Sequence, residues 1–238
     1  MNDLEKFCEG RMTARQVKLV KVLDCSESYP DGLPDEIRHF VNLEELDLGG
    51  NGFTQVPDSV WALTKLKRLY IDNNQLTEFP HQICDLTDLE ELSITANYIA
   101  SIPPEIKNLT KLKWITMAQN RLSTLPEEFA ELPSLTQVGL SHNLFTTIPQ
   151  SIPENVNMIL LSNNSISLLH FPRCTIERKI ELCENPLIIV SKDKPTLFGD
   201  RIVAVLEGKI RLDIDCNGEL PLSTHLYTNI ETCVWEKP

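Results

Sequence analysis

The chain has 238 residues, 42% hydrophobic and 24% charged, which is enough apolar material for a sizeable core. Its net charge of −12 argues against binding a nucleic-acid backbone or an anionic membrane surface. The same charge fits a basic partner and a plain solvated acidic surface alike, and no apolar run reaches the roughly 18 residues that membrane insertion needs.

The polar start, Met1-Asn2-Asp3-Leu4-Glu5-Lys6, is unlike a secretory signal. Asn2 does not suit N-myristoylation, nor the end Trp235-Glu236-Lys237-Pro238 prenylation. The seven Cys are odd in number and form no CxxC, so free thiols in a reducing, cytoplasmic setting are expected. Leu4, Cys8 and Met12, with Phe7 beside them, predict a short amphipathic helix. Residues 1–16 are therefore expected to cap one end of the main body of the chain.

That main body is a repeat. Residues 17–42 form a degenerate first unit with Val20, Leu23, Cys25, Leu33-Pro34, Ile37 and Phe40. The next unit reads Leu43-x-x-Leu46-x-Leu48-x-x-Asn51-x-Phe53-x-x-Val56-Pro57-x-x-Val60. The string returns from Leu66, Leu89, Leu112 and Leu135 at a step of 23 residues. It brings Asn74, Asn97, Asn120 and Asn143, and Pro80, Pro103, Pro126 and Pro149. A unit of 21 residues holds Ile159, Leu161, Asn164 and Ile166, and a decayed one holds Ile180, Leu182 and Asn185. A fixed period of this length means stacked units, each contacting its neighbours.

Beyond Pro195 the repeat stops. Phe198, Ile202, Val203, Val205 and Leu206 predict a closing helix that ends at Gly208. Ile210, Leu212 and Ile214 alternate with charged residues like an edge strand. The expected division is a cap over 1–16, an array of about seven units over 17–190, and a cap helix and tail over 191–238.

Alternation in Leu-x-x-Leu-x-Leu sends the Leu residues to one face of a short strand and the flanked x residues to the other. Strands of successive units pair in parallel. The Asn after each strand can bond the turn and the next unit, satisfying amides that would otherwise be buried unpaired. Pro suits the return segment, because it fixes φ and needs no amide partner. Val60, Ile83, Ile106, Phe129 and Ile152 then seal the core from behind. Narrow strands inside and wider returns outside force curvature. The expected fold is an α/β repeat solenoid, a horseshoe with a parallel sheet on its concave face and irregular or 3-10 convex returns.

These residues, over roughly 20–187, resemble the leucine-rich repeat. The 23-residue LPxxI form is similar to the intracellular Ras-group class of the Ras-suppressor, Scribble and Erbin kind. That resemblance implies a non-enzymatic protein-interaction scaffold, often in signalling. Ile148-Pro149-Gln150-Ser151-Ile152-Pro153-Glu154-Asn155-Val156 looks instead like the bacterial effector repeats of the IpaH and YopM type. Leu4-x-x-x-Cys8 resembles the motif by which some ubiquitin-ligase adaptors bind elongin, although Asp3 departs from it. That likeness implies an alternative role, a substrate-recruiting subunit of a ubiquitin ligase or phosphatase, docked through 1–16 or 209–238.

No phosphate loop, GxSxG, HExxH or CxxC pair stands in the sequence, so no catalytic residue, metal or cofactor is expected. Cys183 is flanked by Glu181 and Glu184, which disfavours a thiolate. Asp24, Asp47 and Asp72 read as solvated carboxylates rather than a metal site.

The outward strand positions are the candidate binding surface. One row reads Val22, Glu45, Arg68, Glu91, Trp114, Gln137, Met158, Lys179; the next reads Asp24, Asp47, Tyr70, Ser93, Thr116, Gly139, Leu160, Glu181. The acidic part (Glu45, Asp47, Asp72 and Glu91, broken by Arg68) would steer a basic protein partner. Tyr70 and Trp114, among the small residues Ser93, Ala96, Ala118 and Gly139, suit a binding hot spot. Gln137, Met158 and Leu160 continue the face, and His142 adds a polar contact just before Asn143. Trp61 is expected to pack on the convex side.

Overall fold

Each unit holds the chain extended for three residues, and its Asn then turns it out of the sheet. The computed structural model of the chain describes residues 2–166, 178–182, 185, 196–198, 201–206 and 210–215. Strands β1 (Val22–Asp24), β2 (Glu45–Asp47), β3 (Arg68–Tyr70), β4 (Glu91–Ser93), β5 (Trp114–Thr116), β6 (Gln137–Gly139), β7 (Met158–Leu160) and β8 (Arg178–Glu181) pair in parallel, in chain order. The sheet is open, not closed into a barrel. Its register is the repeat register: Glu45 lies opposite Arg68, Arg68 opposite Glu91, and Glu91 opposite Trp114. The middle residues Leu46, Leu69, Leu92, Ile115, Val138 and Ile159 face inward and are fully buried.

The returns are 3-10 turns at Asp35–His39, Asp58–Ala62, His81–Asp85, Pro104–Asn108 and Glu127–Glu131, each preceded by Pro. Val60, Ile83, Ile106 and Phe129 drop from them into the core. In the 21-residue unit plain turns replace the 3-10 helix, yet Ile152 still reaches the core. Trp61 packs against the core from the convex side, as expected, with its indole Nε1 buried and unpartnered. Cys25 and Cys84 are free and buried, and desolvation pushes both thiols up to about 12.

The Asn column holds neighbouring units together, but its bonds run back to the preceding unit rather than on to the next. Asn74 Oδ1 accepts from the Asn51 and Phe53 amides, while its Nδ2 donates to Leu48 O at 3.0 Å. Asn120 Oδ1 accepts from the Ile99 amide at 2.9 Å, and its Nδ2 donates to Ile94 O at 2.8 Å and Met117 O at 3.2 Å. Asn185 does the same for Ile166 and Leu161. The turn that aims each Asn inward needs a left-handed residue just before it. Gly50, Asn73, Ala96, Gln119, His142 and Asn163 take that conformation.

At the first end two helices, α1 (Asp3–Cys8) and α2 (Ala14–Val17), replace the single expected one. Gly10, at φ +70°, breaks the chain between them, and a Thr13–Gln16 capping box starts the second. Leu4 and Val17 are buried, and Phe7 stands edge-on to Phe40 at 6.0 Å. Cys8 is exposed, contrary to the expected apolar face. Leu4 is taken up by the core, which removes it from any elongin-type docking surface.

At the other end the expected helix over 198–206 does not form. Arg201–Leu206 is a strand, β10, antiparallel to β9 (Thr196–Phe198) and β11 (Ile210–Asp215). Ile202, Val203 and Val205 are β-branched and favour extension, and β11, paired along the edge of β8, offers its other side to β10. The expected strand at 210–215 does form, but β11 lies inside the sheet between β8 and β10, and β9 takes the edge. The tail from 216 onward and Cys183 lie outside the described residues.

Charges just before successive strands alternate as Lys21, Glu44, Lys67, Glu90 and Lys113. Glu44 binds Lys21 at 2.7 Å and Lys67 at 2.8 Å, and Glu90 binds Lys113 at 2.6 Å. The two lysines hold the Glu44 carboxyl down at about 2.

Two outcomes are expected. Asn120→Ala leaves the Ile94 carbonyl and the Ile99 amide buried without partners, so urea unfolding should show a loss of about 2 kcal/mol or more. Glu44 has its pKa depressed in the folded chain, so its contribution is present above about 4.5 and is lost as pH falls toward about 2. Glu44→Gln should flatten the pH dependence of stability across that window at low salt, and 1 M NaCl should shrink the difference.

Candidate protein-binding face

Strand pairing sets the two outward rows side by side, one residue per unit, so neighbours along a row are neighbours in space. The acidic end is more engaged than composition implies. The Arg68 guanidinium binds Glu45 at 2.6 Å, and that bond raises its pKa further. The Tyr70 hydroxyl donates to Glu91 Oε2 at 3.1 Å. Burial and then the Glu91 charge push that phenol up to about 12.

Asp24 and Asp47 lie opposite each other on β1 and β2. Bonds from the Ser26 hydroxyl and amide hold the Asp24 carboxyl down. Asp47 is raised, first by desolvation and then by the charges of Asp24 and Asp72, although the Gly49 amide partly offsets this at 2.8 Å. Asp72 sits in the following row, where it accepts from the Ser93 hydroxyl and from the Thr95 amide at 2.6 Å. No group of three or more His, Cys, Asp or Glu among the described residues is placed to hold a metal.

Between Tyr70 and Trp114 the floor is a line of hydroxyls. Ser93 is buried, and the Thr95 and Thr116 hydroxyls are 3.3 Å apart. Gly139 lies opposite Thr116, and a Cβ there would come within 2.6 Å of Thr116 Oγ1. Gly139 is itself buried because the Thr116 side chain occupies the space a side chain there would take, and Trp114 beside it is half-buried. Met158 and Leu160 are half-buried on β7, and Gln137 is exposed between Trp114 and Met158.

Most sequence-derived site residues thus share one face: Glu45, Asp47, Arg68, Tyr70, Glu91, Trp114, Gln137, Met158 and Leu160 on the strands, and Asp72 two residues past β3's end. His142 stands apart. It is exposed on the turn after β6 at φ +55°, with its amide donating to Ser162 O at 2.8 Å. Thr95 completes the hydroxyl line, yet it belongs to neither outward row of the strands. The third position, two residues past each second row, is the signal that finds it.

Two models of leucine-rich repeats match the chain, a leucine-rich repeat region over residues 14–101 and a leucine rich repeat over 87–145. The chain is a leucine-rich repeat protein. Such domains typically mediate protein–protein interaction and are generally non-enzymatic. Among solved structures it is similar to a leucine-rich repeat protein of Leptospira interrogans, with 24% identity and TM-score 0.60, over 74% of this chain and 58% of that one. It is also similar to the leucine-rich repeat domain of APL1B, with 25% identity and TM-score 0.58, over 68% and 47%. A third is the ectodomain of the plant membrane receptor kinase GASSHO1/SCHENGEN3 from Arabidopsis thaliana, with 24% identity and TM-score 0.51, over 65% and 23%. The chain spans about half or less of the last two and under two thirds of the first. Among curated proteins, none matches. No helix of the described residues is long and apolar enough to cross a membrane.

Asp47→Asn keeps the acceptor for Gly49 and removes a charge crowded by Asp24 and Asp72. A carboxyl whose pKa is raised on folding destabilises the fold once it is ionised. Thermal melts should therefore show Asp47→Asn slightly more stable at pH 7, by less than about 1 kcal/mol. The gain should vanish as pH falls and Asp47 itself becomes protonated.

Proposed function

We propose that the concave face binds a protein partner, with Trp114 at its centre and Tyr70, Met158 and Leu160 around it. The observation that carries this reading is that Tyr70, Trp114, Met158 and Leu160 are all left half-buried on one outward face of an otherwise ordered sheet. Large aromatic area already held by a rigid backbone binds at little entropic cost. Polar groups of the floor are satisfied internally, so covering it strands few donors or acceptors. Glu45, Asp47, Asp72 and Glu91 outnumber Arg68 at one end, which favours a partner with a basic surface. Gln137 completes the centre, and His142 would reach it from the turn.

The 23-residue LPxxI unit supports a place among Ras-group repeat proteins, hence a cytoplasmic scaffold in signalling. The recruiting-subunit alternative has less support, since Leu4 of its docking motif is buried. Residues 1–16 serve as the cap, 17–190 as the array and 191–238 as its closing segment.

The test is affinity purification with mass spectrometry, comparing wild type with the double variant Trp114→Ala, Tyr70→Ala. Specific partners should fall at least about tenfold in recovery while the array stays folded by circular dichroism. Undiminished recovery of every partner would remove the concave face from the assignment.

A further inference from the structure

The residue just after each ladder Asn forms a row of its own on the flank of the array. Gln75, Tyr98, Arg121 and Leu144 each donate their amide to the preceding unit, at Phe53 O, Leu76 O, Ile99 O and Leu122 O. Consecutive members are thus one unit apart, roughly 5 Å in a parallel stack. Tyr98 is 45% exposed and Leu144 is 55% exposed. The other large exposed hydrophobics of the described residues, Leu19, Val22 and Val41, all lie at the first end. Arg121 stands between Tyr98 and Leu144 with its guanidinium carbon 4.8 Å from the Tyr98 ring centroid.

That cation is different from the others nearby. Lys21, Arg38, Lys67, Arg68, Lys107, Lys111 and Lys113 all bind carboxylates. Lys65 binds Asn42. Arg121, among the described residues, has neither a carboxylate nor any other side-chain acceptor. The adjoining left-handed row also carries no carboxylate around it, with Ala96 and Gln119 beside His142. Contact with the Tyr98 ring restrains the guanidinium, which stays exposed to solvent. A guanidinium held this way is pre-organised for a bidentate carboxylate.

We propose that this flank is a second docking surface, distinct from the concave face, for an extended protein segment in which one Asp or Glu is flanked by apolar residues. The carboxylate pairs with Arg121, and apolar side chains lie on Tyr98 and Leu144. Alternate residues of an extended segment project to the same side about 6.6 Å apart, somewhat more than the roughly 5 Å step of the row, and the length of the Arg121 side chain takes up the difference. The occupant carries one carboxylate rather than an acidic run, because the net charge of −12 repels a run and only one cation awaits it.

The test is selection of random dodecapeptides displayed on phage against the full chain, followed by affinity measurement on variants. Enriched peptides should carry a single Asp or Glu with an apolar residue two positions away. Arg121→Gln and Arg121→Lys should each weaken them by about tenfold or more, and Tyr98→Ala should weaken them several-fold. Trp114→Ala should leave their affinity unchanged. All three side chains are at least partly exposed, and circular dichroism checks that each variant is folded. Peptides sensitive to Trp114→Ala but indifferent to Arg121→Gln would overturn the flank site and support the concave face. Peptides without the acidic–apolar pattern, or no enrichment, would overturn it as well.

Discussion

The structure depends on how the backbone amides just past each strand are satisfied. Strands β1 to β7 are only three residues long, so the chain leaves the sheet while still buried. Water cannot reach the groups exposed there, and strand pairing has already ended. One Asn side chain per unit supplies an acceptor and two donors at that point. Asn51, Asn74, Asn97, Asn120, Asn143 and Asn164 are all buried. Each reaches back to the unit before it, so a unit is completed only when its successor is in place. The first unit shows the consequence. Ser28, in place of an Asn, turns its hydroxyl to Ser26 O, and Asn51 supplies the acceptor for the Ser28 and Tyr29 amides. On its open side, Asn2 of the cap meets the Tyr29 hydroxyl at 3.0 Å.

That constraint also decides which positions are free to vary. The Leu positions fill the core, the Asn position serves the backbone, and Pro shapes the return. The residue before Asn must be left-handed, but its side chain points outward, so Gly50, Asn73, Ala96, Gln119 and His142 all serve. What remains is a set of outward rows, each with one residue per unit. Two lie on the concave strands and one comes after the Asn on the flank. Because the backbone is the same in every unit, the chemistry of a row can change without changing the fold.

The array was legible because its signal repeats. Five copies of one string settle the register, and the register places Trp114 beside Glu91 and Gln137 without further information. Where repetition fails, legibility fails with it. The run Ile202, Val203, Val205, Leu206 can read as a helix face or as a strand, and pairing with β9 and β11 decides for the strand. The direction of the Asn bonds depends on how the turn carries the side chain, which no spacing records. The pairing of Glu45 with Arg68, and of Tyr70 with Glu91, was open to inference once the rows were written side by side. The stacking of Arg121 on Tyr98 was not, since the flank row begins where strand alternation ends.

The concave face and the flank carry opposite chemistry on one rigid body. On the concave side Glu45 is neutralised by Arg68, while Asp24, Asp47, Asp72 and Glu91 are hydrogen-bonded by neutral donors and keep their charge. Asp24, Asp47 and Asp72 crowd the first end. The field therefore weakens along the array, and the apolar contacts of Trp114, Met158 and Leu160 lie where it is weakest. Long-range attraction and close contact are thus assigned to different units of the same sheet. Desolvating a carboxylate costs several kcal/mol, whereas desolvating an indole is favourable. A face built in this order meets a basic partner through water at one end and excludes water only where exclusion is favourable.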